Sequence, residues 1–193
     1  MDTEIVLASS SKYRRELLSR LGFTFRSHPA QIEEAFLSNE APQQASIRLA
    51  RQKAESVANI YPNAIVIASD QVVDLNGKAL SKPNQHDVAR SQLRKMSGKS
   101  ITFYSAVCVI LQSKSKLNEF FVPTTVHFRE LSATEIERYL LTEKPYDCAG
   151  AAKIEALGIT LVKQVDSTDP TALIGLPLVQ LAQVLREFGL HLP

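Results

Sequence analysis

The side chains with the most chemistry to offer fall at a few places along the chain: Ser9-Ser10-Ser11 with Arg14 and Arg15, then Glu33-Glu34, Lys53, Asp70 and Lys82. The serines follow the apolar run Ile5-Val6-Leu7-Ala8 and precede an amphipathic stretch that opens near Lys12, with Ser10 or Ser11 as its N-cap. A strand, a hydroxyl turn and a helix in that order bring free backbone N–H groups and the positive end of a helix dipole to one point, which suits a phosphate. Arginines in the first turn, where a helix alone prefers acids, reinforce that charge. An ordinary βα connection with solvated arginines is the alternative. Asp70 closes the apolar run 64–69. A carboxylate at the carboxyl end of a strand can bind a divalent cation or take a proton from an attacking water, and it can equally do no more than start the turn into Val72-Val73.

Glu34 could join Asp70 around one ion, because magnesium usually takes one or two carboxylates plus the phosphates of its substrate. Glu33 beside it leaves the choice within the pair open. Lys53 falls on the inner half of a helix, where lysine is unexpected: it snorkels to water or points into a cleft. Lys82 precedes Pro83, which holds its backbone extended. Lys153 and Glu155 follow the small residues Ala149 to Ala152, against which a ligand can approach the backbone.

Other chemistries find little support. His28, His86, His127 and His191 share no ligand spacing, so a histidine-based nucleophile triad is disfavoured. Cys108 and Cys148 form no CxxC or Cys/His pattern, which argues against a disulfide framework or a structural zinc and fits a reducing cytosol. The net charge of +2, from 22 basic and 20 acidic side chains, calls for no nucleic-acid polymer and no anionic membrane as partner, so any cationic site must be local. No apolar run is long enough to span a membrane and the N-terminus does not read as a signal peptide, so the expectation is a cytoplasmic protein.

Positioning these groups requires alternating elements. The spacing predicts a strand at 5–8 and a helix from about Lys12 to Leu21 with Tyr13, Leu17 and Leu21 on one face. A short strand is expected over 23–28 and a long helix from about Gln43 to Ile60, with Pro42 at its start. A buried strand at 64–69 leads to a hairpin at Asn76-Gly77. Residues 84–96 read as a helix with Val88, Ala89, Leu93 and Met96 inward, and 101–111 and 120–128 as two long strands. Pro123 marks the second of these as an edge or a bulge. A capping box, Ser132 with Glu135, opens a helix to about Leu141; a strand at 159–165 and a last helix at 178–188 complete the chain. The order implies an α/β fold with a mixed twisted sheet flanked by helices, in two lobes around a cleft.

Taken together, Ser9-Ser10-Ser11 with Arg14-Arg15, Ile32-Glu33-Glu34, Arg51-Gln52-Lys53-Ala54, Ser69-Asp70-Gln71-Val72, Lys82-Pro83 and Gly175-Leu176-Pro177, in this order and spacing, resemble the Maf family of nucleoside triphosphate pyrophosphatases. The resemblance runs from residue 4 to residue 188 and implies one Maf-type domain over 1–193, with a nucleotide cleft of the Maf and ITPase-like kind. It implies cleavage between the α- and β-phosphates with a divalent metal, Mg or Mn. Asp70 would accept the proton of the attacking water or bind the metal, Glu34 would be a metal ligand, and Ser9, Ser10, Ser11, Arg14, Lys53 and Lys82 would hold the triphosphate. Three departures from the family's usual pattern, Lys12 for proline, Ser81 for glycine and Glu33 for aspartate, touch none of these groups.

Tyr13, Gln71 and Glu155 are similar to the subgroup that hydrolyses 7-methyl-GTP and are expected to set specificity; relatives preferring dTTP, UTP or CTP carry arginine, threonine and glutamine near those places. A methylated guanine is cationic, so an aromatic face worth roughly 0.5–2 kcal/mol and an acid both suit it. The resemblance also suggests a homodimer. A nucleotide-sensing regulator of cell division or septum formation, binding without turnover, is the rival class. Retention of Asp70, Glu34, Lys53 and Lys82 favours the enzyme, since a pure binder has no need of a positioned base.

Overall fold

A computed structural model describes residues 3–193. Among them, seven strands form one mixed sheet in the order β2-β1-β3-β5-β6-β7, with β4 pairing off β3. The strands are β1 (Ile5–Leu7), β2 (Arg26–Ser27), β3 (Ile65–Leu75), β4 (Lys78–Leu80), β5 (Ser100–Leu111), β6 (Lys116–Phe128) and β7 (Val162–Ser167). β1 runs parallel to β2 and β3; the remaining pairs are antiparallel. Five helices pack on this sheet: α1 (Lys12–Ser19), α2 (Pro42–Ala58), α3 (His86–Met96), α4 (Ala133–Glu143) and α5 (Leu178–Glu187).

The strands β3, β5 and β6 are long enough to serve both lobes. In the first lobe Ile5, Leu7, Ile65 and Ile67 pack one face of the sheet against α1 and α5, while Val6, Ala8, Val66 and Ala68 pack the other face against Ala50, Ala54 and Val57 of α2. In the second lobe Val73, Ile101, Phe103, Val126 and Phe128 lie under α3 and α4. The alternation of Ile65 and Ile67 with the smaller Val66 and Ala68 along β3 has a simple reason: the small face is the one a 17-residue helix lies on.

The gap between the lobes comes from strand lengths. β1 pairs with β3 only as far as Leu7 opposite Ile67, and β4 joins the same side only from Val73 opposite Leu80. Along that side of β3, residues 68–72 are therefore left without a strand partner, and Asp70 sits in the middle of them.

Local signals set most boundaries. Ser11 is the N-cap of α1, its hydroxyl accepting from the Arg14 N–H at 3.3 Å. Pro42 occupies the first turn of α2, and the Ser132–Glu135 capping box opens α4 with both reciprocal bonds formed. Pro123 lies just outside the stretch where β7 covers β6, which starts at Thr124 opposite Ser167, so it occupies a locally exposed edge; the register slips between His127 and Phe128.

The structure departs from the sequence expectations in four places. Residues 157–161 form 3-10 turns, and the strand begins only at Val162, because Gly158 folds its N–H back onto the Lys153 carbonyl at 3.0 Å. The 23–28 strand shrinks to Arg26–Ser27. Val88 is 42% exposed: the inward stripe of α3 runs Ala89, Gln92, Leu93, Met96, one residue out of phase with it. Tyr13 is off the core stripe of α1, which buries Leu17 as expected and Leu18 beside it.

Candidate active site

A cleft of about 620 Å³ opens at the gap in the sheet, within the range usual for small-molecule sites. Its first wall is the turn after β1. Ser9 is buried and its Oγ accepts the Ser11 N–H at 3.1 Å, which curls the turn toward the start of α1. Ser10, Ser11 and Tyr13 line the cleft beside it. Arg14 reaches across from the same turn, and its Nε donates to the Gly175 carbonyl at 3.0 Å. That carbonyl also accepts from Ser69 Oγ at 2.8 Å. Gly175 adopts φ +115, a conformation that side chains rarely tolerate, and this is how the Gly175-Leu176-Pro177 motif serves the site: it turns one carbonyl onto an anchor of the first wall and one of the floor strand. Burial presses the Arg14 guanidinium below its ordinary range, an effect partly offset by the charges of Asp70 and Glu34.

The floor is Asp70 on β3. It faces α2, and its Oδ1 accepts from Lys53 Nζ at 2.5 Å, both side chains being 8% exposed. The same ammonium reaches Glu34 Oε1 at 2.9 Å. Lys53 therefore points into the cleft. Burial alone would raise the Glu34 carboxyl, but the hydrogen bond and charge of Lys53, with Lys82 and Arg14 beyond it, outweigh this and hold it below the usual carboxylate range. Glu33 takes no part in this cluster, which resolves the choice within the Glu33-Glu34 pair.

Gln71, the next residue on β3, points to the opposite face. Its Nε2 donates to the Leu173 carbonyl at 2.9 Å, the Ala172 carbonyl at 3.2 Å and Ser105 Oγ at 2.9 Å. Those bonds fix the amide, and Gln71 still lines the cleft. The far wall comes from the second lobe: Leu80, Ser81 and Lys82 after β4, with Asn84, Asp147 and Ala149. The Asn84 N–H donates to the Tyr146 carbonyl at 3.0 Å, tying these two segments together.

Of the residues to which the resemblance gives a role, all line this cleft except Glu155, which is exposed on the turn leading to 157–161; Arg15, Glu33 and Lys153 lie outside the lining as well. Asp147 and Phe36 line it without having been singled out from the sequence; a lone acid in a loop and an aromatic in a long connection carry no spacing signal. Lys153 meets Tyr13 from outside the lining, its Nζ 5.5 Å from the ring centroid. The two cysteines are free, and burial pushes each thiol up to about 12, which leaves them without nucleophilic character at neutral pH.

No cluster of three or more His, Cys, Asp or Glu side chains suited to a metal occurs among the described residues. Glu34 and Asp70 do converge on one point, the Lys53 ammonium. Two carboxylates beside a phosphate site are the donor set a hard divalent cation takes when its substrate supplies the remaining oxygens. The residues present fit such an ion.

A family model described as Maf-like protein matches residues 4–188. Among relatives, a 7-methyl-GTP pyrophosphatase of Cupriavidus pinatubonensis is 47% identical over 185 residues, covering 96% of this chain and 93% of its own. One of Methylobacillus flagellatus is 47% identical over 185 residues, covering 96% of both chains. One of Pseudomonas aeruginosa is 43% identical over 190 residues, covering 98% of this chain and 99% of its own.

Proposed function

The chain belongs to the Maf-like protein family, and from that premise we propose that it is a nucleoside triphosphate pyrophosphatase that hydrolyses 7-methyl-GTP to 7-methyl-GMP and pyrophosphate, clearing modified nucleotides from the pool. The observation that carries this reading is the buried Asp70–Lys53–Glu34 cluster facing a cationic turn across a nucleotide-sized cleft.

The triphosphate is held between the Ser9 to Ser11 turn, Arg14, Lys53 and Lys82. Asp70 accepts a proton from the water that attacks the α-phosphorus. The bond between that phosphorus and the oxygen bridging to the β-phosphate breaks, and its electron pair leaves with pyrophosphate. The cations matter most at that moment, because charge grows on the leaving group and fixed positive groups in a water-poor cleft stabilise it without reorganising. A divalent cation, Mg or Mn, held by Glu34 and Asp70 would add charge neutralisation at the phosphates. At the other end of the cleft Tyr13 offers its ring to the base and Gln71 a fixed amide, with Glu155 biasing the choice by its charge.

We also place the enzyme in the cytoplasm, where two free cysteines stay reduced, and propose a homodimer, which sedimentation at micromolar concentration tests. No helix among the described residues is long and apolar enough to cross a membrane.

The decisive experiment measures pyrophosphate release from 7-methyl-GTP, GTP, dTTP, UTP and CTP, with Asp70→Asn as control. The expected outcome is fastest turnover of 7-methyl-GTP and a loss of about 10²–10⁴-fold in the variant, the usual worth of a positioned proton acceptor. Tight binding of triphosphates with no release from any of them would favour a nucleotide sensor instead.

A further inference from the structure

Tyr13 bounds the cleft from the first lobe, and the groups that meet its ring are ammonium ions. Lys12 Nζ lies 5.0 Å and Lys153 Nζ 5.5 Å from its centroid. Lys12 is exposed on the same helical turn. Lys153 comes from the second lobe and is seated by Glu143 at the end of α4, whose Oε1 accepts from its Nζ at 2.8 Å. The pair is largely withdrawn from solvent, with side-chain exposures of 22% for Lys153 and 13% for Glu143. Each partner is fixed by a second bond: Glu143 Oε2 accepts the Leu157 N–H at 3.1 Å, and the Lys153 N–H donates to the Tyr139 hydroxyl at 3.0 Å. Lys153 does not line the cleft. It stands behind Tyr13 as an oriented ion pair that the phosphate and proton chemistry does not use.

Resting on the reading above, we infer that the Glu143–Lys153 pair is a positioning unit that acts through Tyr13 and sets the enzyme's preference between cationic and neutral purine bases. An aromatic face attracts a cation through its quadrupole. A positive charge already on the ring opposes a second one arriving with the base, and a carboxylate beside that charge cancels most of the opposition. With Glu143 in place, the two ammonium ions at Tyr13 carry one compensating charge at the second lobe. Each half of the pair therefore pushes base preference in the opposite direction. Removing the Glu143 charge should penalise a methylated, cationic guanine, and removing the Lys153 charge should favour it. A role in packing alone would move both variants the same way.

The test uses equilibrium binding of the non-hydrolysable α,β-methylene analogues of 7-methyl-GTP and GTP, so that it does not depend on turnover. The quantity read is the ratio of the two Kd values in the full-length protein. Glu143→Gln is expected to weaken the methylated analogue relative to the unmethylated one by about three- to fivefold, and Lys153→Met to strengthen it by a similar factor, the scale of a partly exposed charge pair. Lys153→Arg, which keeps the charge, should hold the wild-type ratio. Opposite shifts with Arg rescue support the inference, even if the wild type binds both analogues equally; in that case the substrate assignment falls and the pair's role stands. Shifts in the same direction, or no shift in either variant while both still bind, overturn it.

Discussion

Lys53 holds two carboxylates with one ammonium, Asp70 at 2.5 Å and Glu34 at 2.9 Å, and most of the site's electrostatics follow from that geometry. Glu34 is depressed although its partial burial acts to raise it, because Lys53, and then Lys82 and Arg14, favour the ionised form more strongly. Replacing Lys53 with Gln removes the largest of those favourable contributions. The Glu34 midpoint should rise, as read by ¹³C titration of its carboxyl, and the acid limb of kcat/KM should move to higher pH with it. A midpoint that stays put would mean that Lys53 does not control Glu34. The sign for stability follows from the direction of the shift: a carboxyl depressed in the folded state stabilises the protein above the unfolded value of about 4.3, and that contribution is lost as pH falls through the folded value. At this scale the sequence was informative wherever function coincides with a local anomaly. A lysine on the inner stripe of a helix and a hydroxyl run before an N-cap both break the pattern around them. Lys153 over Tyr13 was not legible as a contact, because it depends on how the second lobe closes against the first, and Asp147 has no anomaly to announce it.

Among the elements, the connection between β2 and α2 brings Glu34 to Lys53 with no regular structure between residues 28 and 41. Arg48 on α2 supplies the order that is missing. Its Nε and Nη2 donate to the two oxygens of Glu40, each at 2.6 Å, and Nη2 also donates to the Ala35 carbonyl at 3.0 Å, one residue from Glu34. Arg48→Ala should cost roughly 1.5–3 kcal/mol, the range for hydrogen bonds to charged groups. It should also speed hydrogen exchange over residues 33–37 and weaken binding of the divalent cation proposed for Glu34 and Asp70. Arg48→Lys should rescue little, since one ammonium cannot reproduce a fork that grips a carboxylate and a carbonyl together. Unchanged exchange in that segment would show that the loop is ordered by other contacts. The capping box of α4 offers a second test. Glu135 is pulled down to about 2, first by the Ser132 N–H and then by the Ser132 hydroxyl and Arg129. The Tm advantage of wild type over Glu135→Gln should be full above about pH 4.3 and vanish as pH falls toward 2; a gap independent of pH would place its origin elsewhere. Helices with caps and strong periodicity were legible from sequence. The start of the strand expected at 159–165 was not, because its apolar residues read as extended while backbone bonds to Lys153 and Ala156 wind 157–161 into turns.

For the whole molecule, the expectation of two lobes holds, yet the same strands build both. β3, β5 and β6 pass from the first core into the second without interruption, and β5 alone carries Val107 and Val109 in one and Ile101 and Phe103 in the other. The two-lobe shape was legible in the alternation of elements, but the gap was not, since it depends on where β1 stops and β4 starts along β3. Continuous strands have an energetic consequence. A lobe cannot open without breaking ladder bonds inside strands that its neighbour still holds, so we propose that the chain folds as one cooperative unit. Ile67 and Ile101 are both essentially fully buried, one in each core. Truncating either to alanine should cost about 2–5 kcal/mol, the lost transfer energy plus that of the cavity left behind. If the lobes are coupled, Ile101→Ala should lower native-state hydrogen-exchange protection at Val66 in the first lobe by as much as at Val126 in the second, and Ile67→Ala should do the reverse equally. Separate lobes would confine each loss to its own half and split the denaturant transition in two. The functional stake is the cleft itself: Asp70 lies on the span of β3 that joins the two cores, so a chain that opened lobe by lobe would lose the floor of its site first, whereas a cooperative one keeps the wall carrying Ser9 and Arg14 and the wall carrying Lys82 in fixed register until the whole fold is lost.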